Sequence, residues 1–351
     1  MSADHTWTSV LSHLVEGSDL SISESTWAMQ SVMAGEATSA QLAGLLVALR
    51  IKGETVDEIV GFRDAVLASA LPLDVDPMVL DIVGTGGDPY GAVFNISSVA
   101  SVVAAASGIP VVKHGNRAAS SKSGASDVLA ALGVNLEIGP ERVAEVLTET
   151  GITFAFAAMF LPGFRHAGPT RRELGISTLF NILGPLCNPA RPEASAVGVS
   201  SLERVPLMVG VFQTRGATAL VYRGDDGIDK LTTTGHSHIW EVSRGFVTEH
   251  DLNPTDLGIS TVSIESLLGS DAESNAAVIR SVLAGNHGAL RDIVLLNAAA
   301  GIASFQLAQD PDLNRQPIVT RLSDAMDIAA MTVDSGAAAA KLDEWVAATN
   351  R

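Results

Sequence analysis

Asp81-Ile82-Val83-Gly84-Thr85-Gly86-Gly87-Asp88 sets three glycines within four positions directly after a short apolar run. Such a run ends where a buried parallel strand would end, and glycine lets a ligand come against bare backbone amides. Asn95-Ile96-Ser97-Ser98 follows and opens an Ala/Val-rich helical segment reaching about Ser107. Asparagine and serine cap helix starts, and the free amides of a helix start attract anions. A lone Gly-x-Gly-Gly is more often an ordinary strand-to-helix turn. With Asp88 and the hydroxyl-rich helix start attached, phosphate binding is the better reading.

A second unit of the same kind follows. An apolar run over residues 109–112 leads into Lys113-His114-Gly115-Asn116-Arg117-Ala118-Ala119-Ser120-Ser121-Lys122-Ser123-Gly124, then a helical pattern over residues 126–132 closed by Gly133. Two strand ends therefore converge on one edge of a sheet, the edge where open α/β sheets bind ligands. Lys113, Arg117 and Lys122 among serines, glycines and Asn116 offer cations and neutral donors to a polyanion. The chain as a whole carries a formal charge of −17, so this local reversal of sign carries weight.

The elements that must hold these loops are legible more coarsely. At 351 residues, with 47% hydrophobic and 17% charged side chains, the chain has the composition of a folded protein with room for two domains. Its acidity makes nucleic acid or an anionic membrane a poor partner for the surface as a whole. Cys187 is the single cysteine, so no intrachain disulfide forms and a reducing, cytoplasmic setting is expected; its apolar surroundings suggest a buried small residue. No secretory signal pattern opens the chain. The uncharged stretch over residues 89–112 is broken by polar residues and Pro110, and reads as a buried helix and strand. Residues 7–14, 23–33, 39–51 and 55–70 show helical spacing of apolar side chains, and residues 72–77 read as a connection into the first strand. After residue 190, strand and helix patterns alternate again, over 196–198, 208–216 and 219–222.

The glycine loop, Asn95-Ile96-Ser97-Ser98, residues 113–124, Arg171-Arg172-Glu173-Leu174-Gly175, residues 180–189 and Leu296-Asn297-Ala298 together resemble the anthranilate phosphoribosyltransferase family. The likeness extends over nearly the whole chain, and the combination of motifs is specific where each alone is not. It implies an α/β fold of the nucleoside phosphorylase and phosphoribosyltransferase kind. A small N-terminal helical domain, residues 1–77 joined by about 166–190, would sit beside an α/β domain, residues 78–351, with a central, mostly parallel sheet. The active site would lie in the cleft between them, and homodimers would form through the helical domain. The implied reaction moves the phosphoribosyl group of phosphoribosyl pyrophosphate onto the amine of anthranilate, in tryptophan biosynthesis, with Mg²⁺.

Carried over residue by residue, Gly84, Gly87, Asp88, Asn95, Ser97, Ser98, Lys113, Asn116, Arg117, Ala118, Ala119, Ser120, Ser121 and Ala125 would surround phosphoribosyl pyrophosphate. Gly84, Asn116 and Arg171 would form the anthranilate pocket, with the Arg171 guanidinium on the carboxylate; as an ordinary surface residue, Arg171 would sit at a helix start. Ser97 would ligate one Mg²⁺ and Asp229 another. No side chain is assigned as a catalytic acid or base.

Three departures from the family pattern stand out. Lys230 follows Asp229 where the family places a glutamate, so the expectation is a weakened second metal site helped by Asp225 or Asp226; the alternative is that Lys230 partly replaces the ion. Leu161-Pro162-Gly163-Phe164 replaces a more polar run, and Ala125 replaces a common serine. They leave open a relative of the same fold, a phosphoribosyltransferase or nucleoside phosphorylase with another acceptor, or a non-catalytic binding protein. His236 and His238 read as surface or hydrogen-bonded residues for want of a third ligand. His114 would orient its loop or border anthranilate.

Overall fold

The computed structural model describes residues 5–91, 93–116 and 123–351. Arg117, Ala118, Ala119, Ser120, Ser121 and Lys122 of the basic loop lie outside the described residues. Seven strands, β1 (Leu80–Gly84), β2 (Val111–Gly115), β3 (Ile152–Phe156), β4 (Ala194–Gly198), β5 (Thr218–Gly224), β6 (Ser237–Ser243) and β7 (Phe246–Leu252), form one sheet in the order β3-β2-β1-β4-β5-β6-β7. The first five in space are parallel, and β6 and β7 extend the sheet antiparallel. In this order β1 and β2, whose ends carry the glycine and basic loops, are adjacent.

The five parallel strands are short and mostly apolar because both sheet faces are covered there, and alternate side chains serve different cores, whereas β7 at the antiparallel edge is polar and largely exposed. Leu80 and Ile82, Ala194 and Ala196, and Leu220 and Tyr222 enter a core shared with helices Ile96–Ala106 and Ala289–Gln309. Val83, Val197, Ala219 and Val221 face the other way, into a core shared with helix Val205–Arg215 and the N-terminal helices. At Gly301 a β-carbon would lie 2.5 Å from Ile82 Cδ1, so glycine is what lets helix Ala289–Gln309 close onto β1. This is the one helix among the described residues long and apolar enough to cross a membrane, and it is packed inside the protein.

Helices Trp7–Val15, Ile22–Ala34, Ser39–Lys52 and Val56–Ala68 each begin with a reciprocal capping box: Thr6 with Ser9, Ser21 with Glu24, Thr38 with Gln41, Thr55 with Glu58. Each cap contributes about 1 kcal/mol and fixes where its helix starts. Glu58 also accepts from Leu20 N at 2.9 Å and pairs with Lys52 at 3.1 Å, tying the connection before helix Ile22–Ala34 to the two helices that carry Lys52 and Glu58. Leu42, Leu45, Leu46 and Leu49 of helix Ser39–Lys52 are buried in one core with Leu179, Phe180 and Leu183 from a later segment. That segment comprises helices Phe164–Leu174 and Phe180–Leu186. The entry to the first of them lies close to Ile22–Ala34: a β-carbon on Gly163 would come 2.8 Å from Met33 Sδ.

Candidate active site

β1 delivers the chain to Gly84, which pairs in register with Gly198 at the end of β4. Both positions are bare for the same reason. A β-carbon on Gly198 would collide with the Asp229 backbone, and one on Gly84 with the Asp229 carboxylate, with Lys230 Nζ 3.0 Å away. The segment carrying Asp229 and Lys230 therefore lies directly across the ends of β1 and β4. Gly86 and Gly87 then turn with φ of +68° and +76°, a left-handed conformation glycine adopts without strain. Gly86 N–H donates to Asp229 Oδ2 at 2.7 Å, and Ser200 Oγ donates to the Gly86 carbonyl at 2.7 Å.

Lys113 on β2 is buried, with Nζ donating to the Ile82 carbonyl at 2.8 Å and to Ser97 Oγ at 3.4 Å. One ammonium thus links β1, β2 and the first turn of helix Ile96–Ala106. Burial pulls its pKa down to about 8; Asp81 and, more weakly, Asp229 oppose the fall, and Lys230 adds to it. The buried Asp81 carboxylate accepts from Asn188 Nδ2 at 2.9 Å and from His114 N at 3.2 Å. Burial raises its pKa to about 6 against the attraction of Lys113.

The end of β2 is also bonded to the helical side. His114 Nδ1 lies 2.9 Å from the Gly184 carbonyl; a carbonyl only accepts, so Nδ1 carries the proton. Burial drives this imidazole down to about 4, keeping it neutral. Gly184 belongs to helix Phe180–Leu186, whose first residue lies under Arg171: the guanidinium carbon is 4.9 Å from the Phe180 ring centroid. Arg171 occupies the last turn of Phe164–Leu174, not a helix start. It makes no ion pair among the described residues, and burial lowers its pKa. A half-buried cation held over an aromatic ring and lacking a carboxylate is suited to receive one.

The other expected residues divide. Ser97 and Ser98 stand in the first turn of Ile96–Ala106; Ser97 touches Lys113, and Ser98 Oγ is buried without a partner among the described residues. Asn95 precedes that helix but does not cap it. Its Nδ2 donates to the Ser123 carbonyl at 3.1 Å and its Oδ1 accepts from Asn275 Nδ2 at 2.9 Å, so it braces the base of the basic loop. Asp88 accepts from Tyr90 N and Gly91 N at 3.0 and 2.8 Å, shaping its own turn. Asn116 is exposed at the mouth of the basic loop. Ala125 opens helix Ala125–Ala131, where a β-carbon on Gly115 would sit 3.5 Å from it. Leu161 is buried.

The two expected metal positions differ in what they offer. Ser97 presents a partly exposed neutral oxygen at a helix start, which suits an ion arriving on a diphosphate and keeping its waters. Asp229 does not suit one. Oδ2 is taken by Gly86 N–H, and Oδ1 by Lys230 Nζ at 2.5 Å. The expected help from Asp225 and Asp226 fails as well. Asp226 accepts from Thr232 Oγ1 and Thr234 Oγ1 at 2.7 Å each, and from Ile228 N; Asp225 pairs with His238 at 3.1 Å. No group of three or more His, Cys, Asp or Glu side chains able to hold a metal occurs among the described residues. His236 and His238 are bonded to Asn253 and to Asp225 and Asp251.

Asn297 has a role its motif did not disclose: from helix Ala289–Gln309 it hydrogen-bonds the backbone of Leu231, next to Lys230. An asparagine in an otherwise apolar helical run was the available signal. Ser200 and Asn275 gave none.

The helical and α/β parts both match described domains of glycosyl transferases. Residues 8–70 match the glycosyl transferase family helical bundle domain, and residues 76–339 the glycosyl transferase family a/b domain. The chain is 74% identical over 349 residues to an anthranilate phosphoribosyltransferase of Clavibacter michiganensis, covering 99% of each chain. It is 66% identical to one of Leifsonia xyli, covering 99% of this chain and all of that one. The crystal structure of anthranilate phosphoribosyltransferase from Thermus thermophilus superimposes with a TM-score of 0.89 at 40% identity, covering 97% of this chain and 99% of that one. The Saccharomyces cerevisiae enzyme in complex with PRPP and Mg shares the fold at 24% identity, with a TM-score of 0.88 and 99% of each chain covered. The chain belongs to the anthranilate phosphoribosyltransferase family.

Proposed function

We infer that this protein transfers the 5-phosphoribosyl group of phosphoribosyl pyrophosphate to the amine of anthranilate, giving N-(5-phosphoribosyl)anthranilate and pyrophosphate, in tryptophan biosynthesis. The observation that carries the reading is the meeting of three anion-binding features at one sheet edge. These are the Gly84–Gly87 turn, the first turn of Ile96–Ala106, and the buried Lys113 ammonium, which is bonded to Ile82 on β1 and to Ser97 in that first turn. The C1–oxygen bond breaks with its electron pair leaving on pyrophosphate, the amine lone pair forms the C1–nitrogen bond, and the amine loses one proton. Negative charge grows on the leaving group, so fixed donors aimed there lower the barrier. Lys113 and the loop amides supply them. Ser97 would hold a Mg²⁺ arriving with the diphosphate, which would neutralise part of that group's charge. Arg171 and Asn116 orient the acceptor by its carboxylate, which holds the ortho amine in line. Within the basic loop, Arg117, Ser120 and Ser121 are proposed to complete the phosphate contacts.

Residues 1–77 with about 166–190 form the helical domain in this reading, and residues 78–351 the α/β domain. The N-terminal helices expose Val15, Ile22 and Ile51, which supports a homodimer formed through that domain. A cytoplasmic location accords with the single, buried cysteine. Incubating the protein with phosphoribosyl pyrophosphate, Mg²⁺ and anthranilate should quench anthranilate fluorescence with release of one pyrophosphate per acceptor consumed. Persistent fluorescence with a folded protein would overturn the reading.

A further inference from the structure

We propose that Lys230, and not a divalent ion held by Asp229, is the positive charge that this side of the site presents to the diphosphate. The inference rests on the phosphoribosyl pyrophosphate reading above. Both Asp229 oxygens are committed, one to the Gly86 amide and one to Lys230 itself, and Asp225 and Asp226 are engaged elsewhere. An ion there would have to displace an ammonium, or sit against it. A carboxylate oxygen can accept twice, but an ammonium 2.5 Å away repels a divalent cation brought to the same oxygen, and the described residues group no three His, Cys, Asp or Glu side chains that could hold one.

Lys230 has what the role requires. Its side chain is 9% exposed, and an ammonium has three donors. Two are spent, on the Asp229 carboxylate at 2.5 Å and on the Asp229 carbonyl at 2.9 Å. The third has no partner among the described residues. Nζ lies 3.0 Å from where a β-carbon on Gly84 would be, at the point where β1 gives way to the glycine loop. Asn297 locks the next peptide, so the lysine backbone cannot drift from this position. Lys230 covers one oxygen of Asp229, so at this point the diphosphate meets an N–H donor and not a bare carboxylate.

The test is isothermal titration of inorganic pyrophosphate into the full-length protein, first in EDTA and then with Mg²⁺. Wild type should bind in EDTA, and Lys230→Met should bind at least tenfold more weakly. Lys230→Glu should lose binding in EDTA and recover it with Mg²⁺, because a second carboxylate then creates the metal site that wild type lacks. Thermal unfolding checks that each variant is folded, and the Glu variant decides the matter if the Met variant is not. Equal affinities of wild type and Lys230→Met in EDTA, or the same Mg²⁺ dependence in wild type and Lys230→Glu, would overturn the proposal. If wild type still quenches anthranilate fluorescence, that failure concerns Lys230 alone. A wild type that neither binds pyrophosphate nor consumes anthranilate overturns both readings.

Discussion

The carboxamide of Asn297 holds the Leu231 backbone from both sides: Leu231 N–H donates to Oδ1 at 3.1 Å, and Nδ2 donates to the Leu231 carbonyl at 2.9 Å. A residue of the core helix thereby sets the position of Asp229 and Lys230, and through them of the glycine loop. Asn297→Ala would strand a buried amide and a buried carbonyl, at a cost of roughly 2–4 kcal/mol. Urea unfolding should show that loss. Turnover at a temperature where the variant remains folded should fall as well; unchanged kcat/KM would limit Asn297 to a role in stability.

Gly84→Ala and Gly198→Ala should separate, although the two glycines are neighbours. The new methyl at residue 84 meets a carboxylate and the tip of a lysine, both of which can rotate aside. At residue 198 it meets backbone, which cannot. The first variant should fold and lose activity, whereas the second should lose about 1–3 kcal/mol of stability, the usual range for overpacking. Denaturation midpoints and initial rates for the pair read this directly, and the reverse order would contradict the packing described.

Arg171→Ala should act on one substrate. Removing a charge-assisted contact to a carboxylate costs about 1.5–3 kcal/mol, or roughly a 10- to 150-fold rise in KM for anthranilate. The KM for phosphoribosyl pyrophosphate should change little. Equal rises in both would place Arg171 outside the acceptor pocket.

His114 makes the fold sensitive to acid. Unfolded, its imidazole takes a proton near 6.5; folded, it resists until about pH 4. Between those values unfolding binds a proton, so stability present above pH 6.5 drains away as the pH falls towards 4. The difference amounts to on the order of 3 kcal/mol. His114→Gln should flatten the stability profile across that window, measured by urea unfolding at several pH values. A profile as steep as wild type would assign the acid sensitivity to other groups.

What was legible in the sequence was local. Short apolar runs located β1, β2, β4 and β5, and helical spacing of apolar side chains located the N-terminal helices, because each signal lies within a few residues of the structure it specifies. What escaped was set by partners far along the chain. The Gly86–Asp229 bond spans 143 residues, and the Asn95–Asn275 bond 180. Asn95 reads locally as a helix cap, but its side chain finds a distant amide and leaves the cap unmade. Likewise the acidic run around Asp225 looks like a pool of metal ligands until the threonines and His238 are seen to occupy it.

Cys187 lies wholly inside the core, and its thiol is pushed far above the ordinary range by burial. In the native state it should ignore maleimides and disulfide reagents, so one cysteine placed at an exposed site would label cleanly without first deleting a native thiol. The buried thiol itself becomes a clock: its slow modification in mild denaturant would time the opening of the core around helix Phe180–Leu186, on which the Arg171 side of the site is built.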